Sequence, residues 1–150
     1  MRVQDVMQTE VVTIPVGMSY RDVERVLREK EITGAPVVDA AGNVVGIVSE
    51  KDLFRVLYPF YSSFYENPEM YSDLETRETK ASDIADHPVE RFMSSRVWHI
   101  EPDVPLMRAG AIMLARGIHR MPVITDGKLV GIVTRTAVYR AVFEMNLDRE

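Results

Sequence analysis

The first segment whose residue types could do chemistry is Gly46-Ile47-Val48-Ser49-Glu50-Lys51-Asp52, in which an apolar run ends at a hydroxyl residue. We predict that a helix starts at Ser49. The free N–H groups and the positive dipole end of a helix start bind anions, so Ser49 could hold a phosphate there. From this motif alone, a plain capping box, in which Asp52 bonds back to Ser49, is the favoured interpretation.

A second segment, Ile118-His119-Arg120-Met121-Pro122, offers groups that suit a phosphate. The Arg120 guanidinium is always charged, and its fork matches phosphate oxygens. His119 could add a donor whose charge depends on pH. Taken alone, His119 and Arg120 are more often a solvated loop pair than a binding site, so their context in the fold decides.

No arrangement of residues predicts an enzyme. The chain has no cysteine, which excludes thiolate nucleophiles, disulfides and cysteine-based metal sites, and fits a reducing cytosol. Its three histidines, His87, His99 and His119, lie in three different segments. His99 and His119 could approach each other and hold a metal, but no carboxylate obviously faces them. We therefore expect no catalytic residue, no metal and no catalytic cofactor.

The elements that position these residues occur twice along the chain, and a repeat of this kind organises a whole fold. The second copy follows the first by 86 residues, and by 85 after a turn that is one residue shorter. The matched segments are Val3–Met7 with Val89–Met93, Ala35–Val38 with Met121–Ile124, and Gly46–Ser49 with Gly131–Thr134. We expect residues 1–57 to be the first repeat, 58–86 a linker and 87–150 the second repeat.

Each repeat is predicted to run strand, helix, strand, turn, strand, helix. The first strands are the β-branched runs Val11–Ile14 and Val97–Ile100. Ser19 and Asp22 form a capping box for the first helix, and Pro105 opens the corresponding helix of the second repeat.

Turns at Gly42 and Gly127 join hairpins, whose second strands are apolar enough to be buried on both faces. Six methionines are expected to be mostly core or cleft-wall residues: Met7, Met18, Met93, Met107, Met113 and Met121.

The paired motifs resemble a known family. Two copies of Pro-Val-Val/Ile, each followed by Gly-Ile-Val-Ser/Thr nine or ten residues later, look like a tandem pair of CBS domains, the Bateman module. The resemblance covers both repeats and leaves out only the linker. It implies an α/β fold of two β-α-β-β-α repeats related by a pseudo-twofold, with small three-stranded sheets packed on helices. It also implies dimers, and adenosyl ligands such as AMP, ADP, ATP or S-adenosylmethionine in clefts between the repeats.

The resemblance further implies one competent cleft. In the family, the Asp at the position of Asp52 takes both ribose hydroxyls, which suits a carboxylate because it accepts two hydrogen bonds at once. The same cleft takes the first strand and the pre-proline segment of the other repeat. It would join Ser49, Lys51 and Asp52 to Val97, His99, Ile100, His119, Arg120, Met121 and Pro122.

The mirror-related cleft departs from the family pattern, because Ala137 stands where the ribose Asp is expected. Thr134 can still cap a helix and meet a phosphate, but Ala137 offers ribose no acceptor. We therefore expect this second site to be empty or weak. It would join Thr13, Thr33, Gly34, Ala35 and Pro36 to Thr134 and Arg135.

The linker region has two parts. Seven of the chain's twelve aromatic residues lie in or just before its first part. They are expected either to pack against the end of the first repeat or to form a dimer contact. They are Phe54, Tyr58, Phe60, Tyr61, Phe64, Tyr65 and Tyr71. Residues 66–90 then hold eight acids against Arg77 and Lys80, a charge of −6 that leaves the rest of the chain, whose total is −5, near +1.

These features predict an adenine-nucleotide sensor whose partners are the nucleotide, a second copy of the chain and an unidentified downstream effector protein. A ligand-free structural dimerisation module is the alternative. An RNA-binding pair is a weaker one, because the chain has no basic stripe. No apolar run approaches the roughly eighteen residues that cross a bilayer, and the start lacks a secretory signal, so we expect a soluble cytoplasmic protein with no membrane partner.

Overall fold

The structure of the chain is a computed structural model that describes residues 1–57 and 84–147. The described residues form five strands and four α-helices, with short 3-10 turns at Val3–Asp5 and Val89–Arg91. In chain order the elements are β1 (Ile14–Pro15), α1 (Tyr20–Glu29), β2 (Gly34–Val38), β3 (Val44–Ser49), α2 (Glu50–Leu57), α3 (Leu106–Arg116), β4 (Arg120–Thr125), β5 (Lys128–Thr134) and α4 (Arg135–Leu147).

The first repeat forms a three-stranded sheet in the order β1-β2-β3. Strand β1 is parallel to β2, with Ile14 opposite Val37. Ser19 caps α1, because its hydroxyl accepts the Asp22 amide proton at 3.2 Å, which is one half of the predicted capping box. The predicted strand over 11–14 is wrong in extent. Only Ile14 and Pro15 pair with β2, because the chain up to Val11 packs elsewhere.

The second repeat forms a two-stranded antiparallel sheet, β4-β5, with Pro122 opposite Ile132. Its turn has positive φ angles at Asp126 and Gly127 (51° and 78°), as the predicted Asp-Gly hairpin requires. The predicted strand over 97–100 is wrong in extent, because only Ile100 pairs, in one parallel bridge with Val123. This bridge is the counterpart of the Ile14–Val37 pair in the first repeat. This sheet therefore has two strands plus a bridge rather than three strands.

The prediction that the second strand of the first hairpin is buried on both faces is also wrong for β3. Gly46 and Val48 are buried, whereas Val45 and Ile47 are only half-buried, the alternation of a strand with one core face. The coarser prediction of a mixed α/β fold with small sheets packed on helices is confirmed.

The two compact units of the structure are not the two sequence repeats. One unit consists of Met1–Val11, Ala41–Val44 and residues 96–147, and the other of Val12–Ala40 and residues 45–57 and 84–95. The segment that precedes the first strand of each repeat, which we call its leading segment, is thus exchanged. Residues 1–11 pack with the second repeat, and residues 84–95 pack with the first.

Backbone hydrogen bonds fix each exchanged segment. The Val3 amide donates to the Val104 carbonyl at 3.0 Å, and the Val89 amide donates to the Met18 carbonyl at 2.8 Å. Val3 and Val89 are both fully buried. Each leading segment therefore completes the core of the repeat to which it is not joined in sequence.

Each compact unit has its own apolar core. Val3, Leu106, Met113, Met121 and Val133 are central to one core. Ile14, Val23, Leu27, Val48 and Val89 are central to the other. Among the methionines expected in cores or cleft walls, Met107 is the exception, with 58% of its surface exposed.

The predicted aromatic cluster falls mostly outside the described residues. Of its seven members only Phe54 is described, and it is 60% exposed on α2. The acidic segment predicted after Glu66 is described only from residue 84 onward, where Ala85 is buried.

Candidate functional site

The start of α2 carries a reciprocal capping box between Ser49 and Asp52. The Ser49 amide and hydroxyl donate to Oδ2 of Asp52 at 2.9 and 3.1 Å. The Asp52 amide donates in return to the Ser49 Oγ at 3.4 Å. The interpretation favoured by the motif alone is therefore present in the ligand-free protein.

The Asp52 carboxylate is sheltered, and the described residues occupy only part of its acceptor capacity. Its side chain is 11% exposed, and its Oδ1 lies 3.5 Å from the Arg55 guanidinium, one helical turn further on. A carboxylate offers about four acceptor positions, so Oδ1 can take a further donor without breaking the existing contacts. A sheltered acceptor at a helix start suits a ligand that presents hydroxyl groups.

The segment before β2 lies against the same helix start. The Glu50 amide donates to the Thr33 carbonyl at 2.9 Å. Thr33 is exposed, whereas the following Gly34, Ala35 and Pro36 are buried in β2. Thr33 and Asp52 were predicted to belong to two different clefts, but the structure brings their segments together within the first repeat.

The second repeat contains the same junction with different side chains. The Arg135 amide donates to the His119 carbonyl at 2.8 Å, which matches the bond between Glu50 and Thr33. The Thr134 Oγ1 accepts the Ala137 amide proton at 3.3 Å, so the hydroxyl cap is kept. Ala137 has no carboxylate, so this helix start lacks the acceptor that Asp52 supplies to α2.

The remaining second-repeat candidates are gathered beside β4. The Ile100 amide donates to the Pro122 carbonyl at 3.1 Å, which places the 97–100 segment next to the pre-proline segment. Ile100, Met121 and Pro122 are buried, Val97 and Arg120 are half-buried, and His99 and His119 are exposed.

Two other first-repeat candidates are not part of the capping box. Thr13 is half-buried just before β1, and Lys51 is exposed on the first turn of α2. The assignment of first-repeat and second-repeat residues to a shared cleft stays a prediction.

Trp98 stands between Val97 and His99 and was not among the predicted site residues. Its side chain is 43% exposed, and the Arg116 guanidinium lies 4.3 Å from its ring centroid, a cation–π contact. It lies in the same segment as three predicted site residues, Val97, His99 and Ile100.

Tyr20 connects α1 to α2 beside the capping box. Its hydroxyl donates to the Leu53 carbonyl at 2.8 Å, and its ring meets Phe92 edge-on at 5.2 Å. Burial raises the pKa of the Tyr20 phenol above 10.0, and the nearby Glu24 carboxylate adds to the increase. Tyr20 thus keeps α2, which carries Asp52, in place.

Two other kinds of site are absent from residues 1–57 and 84–147. In these ranges no three His, Cys, Asp or Glu side chains are grouped so as to hold a metal ion. No helix there has the length and apolarity to cross a membrane.

Known proteins match this chain in both repeats. The family described as CBS domain matches residues 3–59 and 89–144. An uncharacterised protein of Methanocaldococcus jannaschii is 30% identical over 95% of this chain and 91% of its own length. The A-adding tRNA nucleotidyltransferase of Aquifex aeolicus is also 30% identical, over 96% of this chain, but the chain spans only 15% of that enzyme.

A solved structure matches the fold over almost its full length. It is CBSX2 in complex with AMP, a protein known from Arabidopsis thaliana. It superposes with a TM-score of 0.73 and is 28% identical in sequence, with 97% of this chain and 98% of that chain covered.

Proposed function

This chain belongs to the CBS domain family, and we propose that it is a regulatory module that binds an adenine nucleotide. The observation that carries the proposal is the Asp52 carboxylate, sheltered at the start of α2 and paired with the Ser49 hydroxyl. The AMP complex of CBSX2, a relative that matches nearly the whole chain, supports this choice of ligand class.

Asp52 would recognise the ribose. Two neighbouring ribose hydroxyls would donate to its carboxylate, one to the free position on Oδ1 and one in place of the Ser49 hydroxyl. The exchange is nearly balanced, because one hydroxyl donor replaces another. Two charge-assisted hydrogen bonds then hold the sugar in a fixed orientation.

Ser49 would take part in phosphate binding after that exchange. Its hydroxyl, released from Asp52, can donate to a phosphate oxygen at the helix start, where the helix dipole favours a negative group. Lys51 is exposed on the same turn and can add positive charge. Backbone groups around Thr33, which the Glu50 amide holds beside this turn, would contact the rest of the nucleotide.

The second-repeat helix start would bind weakly or not at all. Thr134 and Arg135 can meet a phosphate, but Ala137 provides no ribose acceptor. Charge-assisted hydrogen bonds contribute about 1.5–3 kcal/mol each, so this loss weakens binding by roughly one to two orders of magnitude. The proposal therefore includes one strong site per chain.

The proposed role is to sense a ligand rather than to catalyse a reaction, and it includes a homodimer and an effector protein as partners. A ligand-free dimerisation module is the competing function. The apolar outer face of α3 and α4 favours that alternative, since it serves association without needing any nucleotide.

Thermal unfolding with and without AMP, ADP, ATP and S-adenosylmethionine tests the proposal. A ligand at one hundred times its dissociation constant should stabilise the protein by about 2.7 kcal/mol. The matched control is Asp52→Asn, which keeps the size of the side chain but removes its charge, and its stabilisation should be much smaller. If no adenosyl compound raises the melting temperature of the wild type, the proposal is wrong and the structural module remains.

A further inference from the structure

Tyr20, the first residue of α1, bonds to two other segments of the first compact core. Its amide donates to the His87 carbonyl at 2.8 Å, and its ring meets Phe92 edge-on at 5.2 Å. Its hydroxyl donates to the Leu53 carbonyl of α2 at 2.8 Å. We call Tyr20 and these three partners the Tyr20 clamp. The clamp holds α1, α2 and the leading segment 84–95 together.

The clamp contacts the chain on both sides of the connection between the repeats. On one side, Leu53 lies one helical turn before Leu57, the last residue of α2. On the other side, His87 follows residues 58–83 closely in sequence. A change in the position of either end of the connection is therefore felt at Tyr20.

The leading segment 84–95 is docked at the start of α1 by further backbone bonds. The Arg21 amide donates to the Ala85 carbonyl at 3.0 Å, and the Val89 amide donates to the Met18 carbonyl at 2.8 Å. The first amides of a helix have no partner within the helix, so carbonyls of this segment satisfy donors that α1 cannot satisfy itself. Undocking of the segment would leave the start of α1 uncapped and would remove Phe92 from the clamp.

The other arm of the clamp ends beside the proposed ribose acceptor. Leu53, whose carbonyl accepts the Tyr20 hydroxyl, directly follows Asp52 in α2. Leu53 is buried, and the Asp52 side chain is only 11% exposed. The bond therefore fixes the turn of α2 that presents the carboxylate, relative to α1.

The backbone part of this arrangement is repeated in the second compact unit. The Leu106 amide donates to the Met1 carbonyl at 3.0 Å, as the Tyr20 amide does to His87. The Val3 amide donates to the Val104 carbonyl at 3.0 Å. Docking of a leading segment on a helix start is thus common to both units.

The side chains of the clamp occur only in the first unit. The second unit has Leu106 in place of Tyr20, and Val6 in place of Phe92. Leucine has no hydroxyl group, so the second unit lacks the bond that joins the first helix of the repeat to the second. The second repeat is also the one without the ribose acceptor. The clamp and the carboxylate therefore occur together.

We infer that the Tyr20 clamp couples nucleotide binding at Asp52 to the docking of residues 84–95 on α1. The inference rests on the proposed function and names how that site is regulated. When the segment undocks, Tyr20 loses two of its three partners, and α2 loses its fixed position against α1. A nucleotide that requires an ordered α2 therefore stabilises the docked segment, and undocking weakens nucleotide binding by the same factor.

The coupling gives the proposed sensor an output. An effector protein that binds the undocked segment 84–95 competes with the nucleotide without touching it, because both act on one local equilibrium. Tyr20 is a positioning residue in this scheme, since it acts on the nucleotide only through α2.

Amide hydrogen exchange measured by NMR tests the coupling. In the wild type, AMP at one hundred times its dissociation constant should slow exchange of the Val89 amide by at least ~10-fold, with ~100-fold as the limit. The Val3 amide is the internal control, because its helix lacks the clamp, and its exchange should slow by less than ~2-fold.

Tyr20→Phe keeps the ring but removes the hydroxyl. With AMP at one hundred times the variant's own dissociation constant, the slowing at Val89 should fall to about 2-fold. A tyrosine with a merely structural role would lower stability but leave the ratio of the exchange rates with and without AMP unchanged.

A second variant approaches the clamp from the leading segment and covers the case in which Tyr20→Phe fails to fold. Phe92→Leu removes the edge-on ring contact, and in isothermal titration calorimetry it should bind AMP about 3–10-fold more weakly. Val6→Ala, at the equivalent position of the second unit, is the matched control and should bind AMP as the wild type does.

The outcomes separate the coupling from the proposed function. Equal slowing of Val89 exchange in wild type and Tyr20→Phe, equal slowing at Val3 and Val89, or unchanged AMP affinity in Phe92→Leu overturns the coupling and leaves nucleotide binding in place. If the wild type binds neither AMP nor another adenosyl compound, the proposed function is wrong and the coupling is wrong with it.

Discussion

The Asp52 carboxylate accepts hydrogen bonds from both the amide and the hydroxyl of Ser49, at 2.9 and 3.1 Å. The corresponding pair in the second repeat, Thr134 and Ala137, keeps only the bond from the Ala137 amide to the threonine hydroxyl. One helix start therefore has a sheltered anionic acceptor and the other does not. This difference underlies the proposal of a single strong nucleotide site.

Adding the missing carboxylate should create a second capping box. In Ala137→Asp, the new side chain can accept from the Thr134 amide and hydroxyl, as Asp52 does from Ser49. Arg140 occupies the position that Arg55 has in α2 and can pair with the new charge. We expect the variant to be more stable than the wild type by about 1 kcal/mol in urea unfolding, because a helix cap is worth that much.

The same variant should gain affinity at the second helix start, seen as a larger rise in melting temperature at saturating AMP. Ala137→Ser is the matched control, since it adds a polar group without a carboxylate. A variant that is stabilised but gains no AMP response would show that a carboxylate at this position caps the helix without creating a nucleotide site.

Gly46 and Gly131 should not tolerate a side chain. A Cβ at Gly46 would lie 2.5 Å from the Met93 sulfur and 2.9 Å from the Ser94 carbonyl oxygen. A Cβ at Gly131 would lie 2.8 Å from the Met7 sulfur and 2.9 Å from the Gln8 carbonyl oxygen. Since a backbone oxygen cannot move aside cheaply, we expect Gly46→Ala and Gly131→Ala each to cost about 1–3 kcal/mol of unfolding free energy.

A double-mutant cycle separates the two contacts at Gly46. Met93→Ala removes the sulfur but leaves the Ser94 carbonyl. We therefore expect Gly46→Ala to cost at least ~0.5 kcal/mol less in the Met93→Ala background, but still to destabilise. Strictly additive costs would mean that Met93 does not crowd Gly46.

The exchanged leading segments should be required for stability. Val3 and Val89 are fully buried in the core of the opposite repeat, so truncation to alanine removes two methyl groups from a packed site. We expect Val3→Ala and Val89→Ala each to lower the free energy of unfolding by about 2 kcal/mol. Val16→Ala, at a site 42% exposed, is the matched control and should change it little. Equal effects at all three sites in chemical denaturation would contradict the exchange.

Tyr20 should make stability depend on pH in the alkaline range. Its folded-state pKa is raised above 10.0, chiefly by burial and further by Glu24, so the folded state favours the neutral phenol. The stability it contributes is therefore present below pH 10 and is lost as pH rises through the raised pKa. Deprotonation also removes the donor to the Leu53 carbonyl.

Tyr20→Phe provides the comparison. Urea unfolding of wild type and variant should differ most near neutral pH, and the difference should shrink as pH passes above 10. A difference that stays constant up to about pH 11 would show that the Tyr20 phenol is not coupled to folding.

Local features of the fold could be predicted from the sequence because their causes are local. The Ser19 cap and the turn at Asp126 and Gly127 depend on residues a few positions apart. The family could be predicted from the repeat, because matching segments recur in the same order. The capping box of Ser49 and Asp52 was likewise the interpretation that its motif alone favoured.

Other features could not be predicted because they depend on contacts distant in sequence. Nothing in Val3 or Val89 indicates that each packs into the other repeat's core. The bond between Glu50 and Thr33 joins segments that were assigned to different clefts, because sequence similarity between repeats does not reveal which segments meet. Met107 was expected in a core since methionine is usually buried, but its stripe faces outward on α3.

Isothermal titration calorimetry with AMP tests the central claim most directly, because one experiment reports both the number of sites and their affinity. The account predicts one strong site per wild-type chain. Asp52→Ala, checked by circular dichroism for a folded state, should bind 10–100-fold more weakly, while Thr134→Ala should bind as the wild type does. Two equivalent sites per chain, or unchanged binding by Asp52→Ala, would contradict it.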